Sequence, residues 1–187
     1  MMRFLKRNKV FSLLCFITIV SFISGLLFYG NLNIEDKELV FHNIQSILIE
    51  KDHLSFILHY FISYSLIWIL GISIIGVFFI LFLYSYMVFI FSFECISLFS
   101  TLGVSSIMII LLYLLPKLIL IIFSFLLSYY ASIFSFHLFR HLFFHKSYSF
   151  PSIMKQYIKI YLISFIGLIF CVILEYMNYH YLFKIFY

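Results

Sequence analysis

Charge is what this sequence has least of. Only 10% of its 187 residues are Asp, Glu, Lys or Arg, whereas a water-soluble domain carries about 25%. So few charges cannot cover a solvated surface, and 65% of the chain is hydrophobic. The class this implies is an all-α, polytopic integral membrane protein forming a single domain over residues 1–187. Cysteine is almost as scarce. Cys15, Cys95 and Cys171 sit singly inside apolar runs, with no CxxC or metal-ligand spacing, so they read as small core residues. Acidic side chains number seven, and five of them fall in one segment, residues 31–53. That leaves no paired carboxylates, no Ser/His/Asp set and no glycine-rich phosphate loop. The expectation is a protein that is not an enzyme and holds no cofactor or metal. The net charge of +5 implies no nucleic-acid partner, because the basic residues cluster beside apolar runs, where they set membrane orientation.

What is present is a series of long apolar runs. The first follows the basic stretch Arg3, Lys6, Arg7 and Lys9, and has no charge from Val10 to Gly30. It is long enough to cross a bilayer at about 1.5 Å per residue and lacks a small-x-small cleavage site, so an uncleaved first span is expected. Residues 31–53 follow, with Val40, Phe41, Ile44, Ile47 and Leu48 at helical spacing and Glu38, His42, Asn43 and Gln45 on the other face. This predicts a short amphipathic helix. The 41 positions from 53 to 93 carry no Asp, Glu, Lys or Arg, too many for one span of about 20 residues. A turn is placed at Tyr84–Met87. Five spans result, at about 10–29, 57–83, 86–101, 106–136 and 158–179, with 31–53 external. A six-span alternative divides the middle at Gly71–Gly76, Glu94 and Lys117. Five spans put the two basic clusters, Arg3–Lys9 and Arg140–Lys159, on one side. The cytoplasm is then the expected side of the N-terminus, in a cell membrane, with the C-terminus outside.

Three features within the runs carry polar chemistry. Glu94 and Lys117 fall on neighbouring antiparallel spans and, counted along those spans, reach a similar depth near mid-bilayer, so they are expected to pair. Either they fix helix register or they belong to a transport path. Pro116 precedes Lys117 and predicts a helix kink, freeing a carbonyl near Leu112 for Lys117 or a serine. His137, His141 and His145 recur at i, i+4, i+8, a spacing that can hold a metal. Without a carboxylate or cysteine, and with Arg140 and Lys146 beside them, they read instead as a basic cap on anionic lipid head groups. Gly71, Ser73 and Gly76 in "LGISIIG" predict close helix packing.

Two of these stretches also carry a family resemblance. Leu70-Gly71-Ile72-Ser73-Ile74-Ile75-Gly76 and Leu114-Leu115-Pro116-Lys117 resemble the Leu-Gly-x-Ser-x-x-Gly and Leu-Leu-Pro-polar runs of the stage II sporulation protein M (SpoIIM) family. Their order matches, as do the basic N-terminus, the segment after the first span and the number of spans. At Tyr84-Ser85-Tyr86 the family usually has a charged residue and glycines, and after the proline it more often has His, Gln or Asn. The resemblance implies a non-catalytic membrane scaffold in contact with membrane lipid. Such a scaffold gathers SpoIID- and SpoIIP-like peptidoglycan-degrading proteins during engulfment, and an oligomer is compatible with it. Glu35, Glu38, His42 and Gln45 are the expected docking face. The alternative is a small permease subunit working with a partner ATPase, to which Glu94 and Lys117 would belong.

Overall fold

A computed structural model describes residues 9–49, 53–73, 75–103, 107–144 and 150–186, and every element among them is helical. The helices are α1 (Lys9–Gly30), α2 (Ile34–Ile49), α3 (His53–Gly71), α4 (Gly76–Leu102), α5 (Ile107–Phe144) and α6 (Phe150–Phe186). Lys9–Gly30, Gly76–Leu102, Ile110–Phe143 and Pro151–Asn178 are each long and apolar enough to cross a membrane, and α3 contributes a shorter apolar stretch, Tyr60–Gly71. Helices are the outcome these sequences dictate. Backbone N–H and C=O groups surrounded by hydrocarbon must pair within their own segment. The outside of the bundle is correspondingly apolar, with Phe16, Ile23, Phe78, Phe82, Ile122 and Ile166 all exposed.

Side-chain contacts fix the helix directions. Thr18 Oγ1 meets Tyr84 Oη at 2.8 Å, Ser21 Oγ meets Ser85 Oγ at 2.6 Å, and Tyr29 packs edge-on to Phe93. These pairs ascend together, so α1 and α4 are parallel. Tyr64 Oη donates to the Leu120 carbonyl at 2.6 Å and Ser135 Oγ to the Ser73 carbonyl at 2.7 Å, making α3 parallel to α5. Contacts of Tyr84 with Phe125 and Glu94 with Lys117 run in opposite order, so α4 and α5 are antiparallel. So are α3 and α6, through Phe61 with Phe165 and Trp68 with Tyr157. Helices α1, α4 and α6 therefore point one way and α3 and α5 the other. Lys9, the 72–75 turn, His137 and Lys155 share one end. Helix α2 and Gly103 share the opposite end.

Helix α5 is central and packs against α1, α3, α4 and α6. Its serines make close approach possible, because Ser124, Ser128, Ser132 and Ser135 are all fully buried. Ser124 bonds back to the Leu120 carbonyl at 2.9 Å, the same oxygen that receives Tyr64. Between α3, α5 and α6 the Tyr157 ring stacks on Phe134 at 4.5 Å. Its hydroxyl donates to the Trp68 carbonyl at 2.6 Å.

Two sequence boundaries are corrected. The expected turn at Tyr84–Met87 is helical, because α4 runs unbroken from Gly76 to Leu102. The polar atoms of Tyr84 and Ser85 mark the α1 interface, where Thr18 and Ser21 satisfy them. The break lies between Gly71 and Gly76, where the six-span alternative set one of its splits, so the second and third runs divide there and not near residue 84. Gly76 is the reason: a Cβ there would overlap the Leu70 carbonyl oxygen. Of the two glycines expected to allow close packing, Gly76 serves this turn. Gly71 serves a helix contact, since a Cβ on it would strike the Tyr157 hydroxyl and approach Ala131. Ser73 contributes its carbonyl to Ser135, while its own side chain is exposed. The splits of the six-span alternative at Glu94 and Lys117 are absent, as both residues are mid-helix. At the other end of α4, Gly103 takes a positive φ of 71° and donates its N–H to Phe99, which ends the helix.

Candidate functional site: a charged cluster beneath helix α2

Glu94 on α4 and Lys117 on α5 form an ion pair, with Nζ 2.6 Å from Oε2. Lys117 also donates to Tyr113 Oη at 2.8 Å, one turn earlier on its own helix, and its ammonium lies 4.2 Å from the Tyr113 ring centroid. The two partners are unequally buried. Lys117 is 4% exposed, and the Glu94 side chain is 28% exposed. A cation so enclosed is tolerable only because a carboxylate, a hydroxyl and an aromatic face surround it.

The cluster extends beyond the pair. Tyr60 on α3 lies within electrostatic range of Glu94, Lys117 and Tyr113, and Glu175 on α6 within range of Tyr60 and Tyr113. Four helices thus contribute polar groups at one level. Because α4 begins at Gly76, Glu94 is eight residues from its far end, Leu102, and Lys117 is ten from Ile107. At about 1.5 Å per residue both lie some 12–15 Å from the α2 end. A cavity of about 270 Å³ leads to Glu94 from that side, lined by Val40, Asn43, Phe93, Glu94, Ser97 and Tyr113. Val40 and Asn43 belong to α2, which therefore roofs the approach to the carboxylate.

Pro116 stands inside α5, and the helix continues through it. Its missing N–H leaves the Leu112 carbonyl without the usual partner. The donor is Asn178 Nδ2 of α6, at 2.8 Å. The sequence reading assigned this carbonyl to Lys117 or a serine. Lys117 is committed to Glu94 and Tyr113, and Asn178 reaches the gap because antiparallel α6 brings it level with Leu112.

Helix α2 exposes Glu35, Asp36, Glu38 and His42, while the Gln45 side chain lies outside the described residues. Of the face expected to meet the bundle or membrane, Val40 and Phe41 are described. Val40 and Asn43 line the cavity, and Phe41 is 38% exposed. The Ile44, Ile47 and Leu48 side chains lie outside the described residues. Lys37 Nζ donates to the Gly30 carbonyl at 3.4 Å and lies 5.6 Å from the Tyr29 ring centroid, which ties α2 to the end of α1.

His137 is partly buried on α5 and His141 is exposed, whereas His145 lies outside the described residues. Among the described residues no group of three or more His, Cys, Asp or Glu is placed to hold a metal ion. The sequence reading missed Glu175, Asn178, Tyr60 and Tyr113. A signal existed for two of them. Glu175 is the lone carboxylate of the last apolar run, and Asn178 stands three residues on, a spacing that shares a helix face. Comparison of the chain with protein-family models, with curated proteins and with solved structures finds no match.

Proposed function

We propose that this chain is a non-catalytic scaffold of the cell membrane that gathers peptidoglycan-degrading proteins of the SpoIID and SpoIIP type at its external face. In this reading five helices, α1 and α3 to α6, cross the bilayer. The N-terminus is cytoplasmic and the C-terminus external. The basic clusters at the Lys9 and Lys155 end support that orientation. The single observation that carries the function is helix α2, which holds Glu35, Asp36, Glu38 and His42 exposed at one end of the bundle. An acidic patch of this kind steers and orients a basic partner. The likeness of Leu70–Gly76 and Leu114–Lys117 to the SpoIIM runs adds the identity of the partners.

The test is charge reversal. Glu35→Lys with Glu38→Lys should leave membrane levels normal and reduce co-purification of the peptidoglycan-degrading partners several-fold. Wild-type recovery would remove α2 as the docking surface. Deletion of the chain should impair septal thinning and engulfment, and an unaffected deletion strain would remove the scaffold role.

A second reading, a permease subunit acting with an ATPase, is favoured by one observation. Glu175 lies in electrostatic range of Tyr60 and Tyr113, the two phenols that also face Lys117, so the cluster holds more than a single register pair. Glu94→Gln with Lys117→Met separates the two readings. Full abundance with lost function supports transport, and full abundance with retained function supports the scaffold.

A further inference from the structure

At the end opposite α2, a second cavity of about 310 Å³ opens between α5 and α6. Its polar lining comes from Tyr129, Tyr130, His137 and Gln156, and its apolar lining includes Ile133 and Ile153. The Tyr157 ring forms part of the floor, held there by the bond from its hydroxyl to Trp68. Phe11 packs edge-on against Tyr129 at 6.0 Å, so α1 borders the opening as well.

The charge around this cavity has one sign. Lys155 and Lys159 are exposed on α6, and His141 is exposed one turn beyond His137. Residues 95–174, which include all of α5 and most of α6, contain no Asp or Glu. Hydrogen-bond donors lie within the cavity, Lys155 and Lys159 stand on α6 outside its lining, and no carboxylate on either wall opposes an anion. The size is at the lower end of the range for small-molecule sites, about 300–1,000 Å³. It suits a head group and the first carbons of its chains. Helix α5 has 38 residues, about 57 Å at 1.5 Å per residue. It overruns a hydrocarbon core of roughly 30 Å, so its His137 end reaches head-group depth.

We infer that this cleft binds an anionic glycerophospholipid. Its phosphate lies between His137 and Gln156, and the start of an acyl chain runs deeper along Ile133 toward the Tyr129 and Tyr130 rings. Lys155 and Lys159 attract the anionic surface without forming the site. The inference concerns the end remote from α2 and does not depend on which partner α2 recruits.

The test uses the full chain, purified in a neutral detergent and offered phosphatidylglycerol, phosphatidylcholine or inorganic phosphate, with bound lipid counted by native mass spectrometry. One phosphatidylglycerol should be retained, with phosphatidylcholine at least five-fold less. His137→Ala with Gln156→Ala should lower phosphatidylglycerol occupancy at least five-fold. Lys155→Gln with Lys159→Gln should lower it less, about two-fold. Gln156→Glu sets a carboxylate in the cleft and should also abolish retention. It serves as the deciding variant if the alanine pair elutes as aggregate. Equal retention of phosphatidylcholine would overturn the inference. So would undiminished phosphatidylglycerol in Gln156→Glu, or full displacement by millimolar inorganic phosphate, which would make the cleft a free-anion site.

Discussion

The Glu94–Lys117 pair makes an asymmetric prediction, because its two partners are buried to different degrees. Glu94→Gln takes the carboxylate from an ammonium that is 4% exposed and leaves it among neutral groups such as the Tyr113 hydroxyl and ring. Stranding a buried charge in this way costs roughly 3–5 kcal/mol. Lys117→Met leaves a carboxylate that is 28% exposed and opens on the cavity beneath α2, where water or a proton can reach it. The cost there is about 1–3 kcal/mol. Changing both removes both charges and should return stability to within about 1–2 kcal/mol of wild type. The assay is heat unfolding of the detergent-solubilised chain, read as the loss of the monodisperse peak on size exclusion, with membrane abundance measured in parallel. The expected order is wild type, double variant, Lys117→Met, Glu94→Gln. A Lys117→Met variant less stable than Glu94→Gln would refute the burial argument. A double variant no better than Glu94→Gln would refute the pairing itself.

Asn178→Leu should cost about 1 kcal/mol by stripping the Leu112 carbonyl of its donor. Pro116→Ala restores a backbone N–H there, so the combined variant should lose less than Asn178→Leu alone, and strictly additive unfolding midpoints would argue against the link. Gly71→Ala drives a methyl into the Tyr157 hydroxyl and should destabilise by about 1–3 kcal/mol. Part of that loss should return in a Tyr157→Phe background, and no recovery would place the strain elsewhere. For orientation, a cysteine at Glu38 should react with an impermeant reagent applied outside intact cells, and one at Lys155 should react only after permeabilisation. The reverse pattern would invert the bundle.

Much of the fold was legible because hydrocarbon leaves the backbone few options. Long uncharged runs become helices, and the all-α class follows from composition and run length. The 84–87 region was misread because Tyr and Ser look like turn residues in one dimension. Their partners, Thr18 and Ser21, are more than sixty positions away, and only packing reveals that this polarity is lateral. Gly76 carried the correct signal for the turn, but a glycine in an apolar run serves helix contacts equally well. At the site, Glu94 and Lys117 stood out as charges in apolar surroundings. Glu175 and Asn178 looked like chain-end polarity until antiparallel α6 brought them level with Leu112 and Tyr113.

Site-specific photo-crosslinking in living cells tests the central claim most directly. A photoreactive residue at Glu38 on α2 should capture a protein that degrades peptidoglycan in a gel overlay, and the same residue at lipid-facing Phe82 should capture none. Capture of an ATPase from Lys155, with no protein caught at Glu38, would contradict the scaffold account and establish the permease reading in its place.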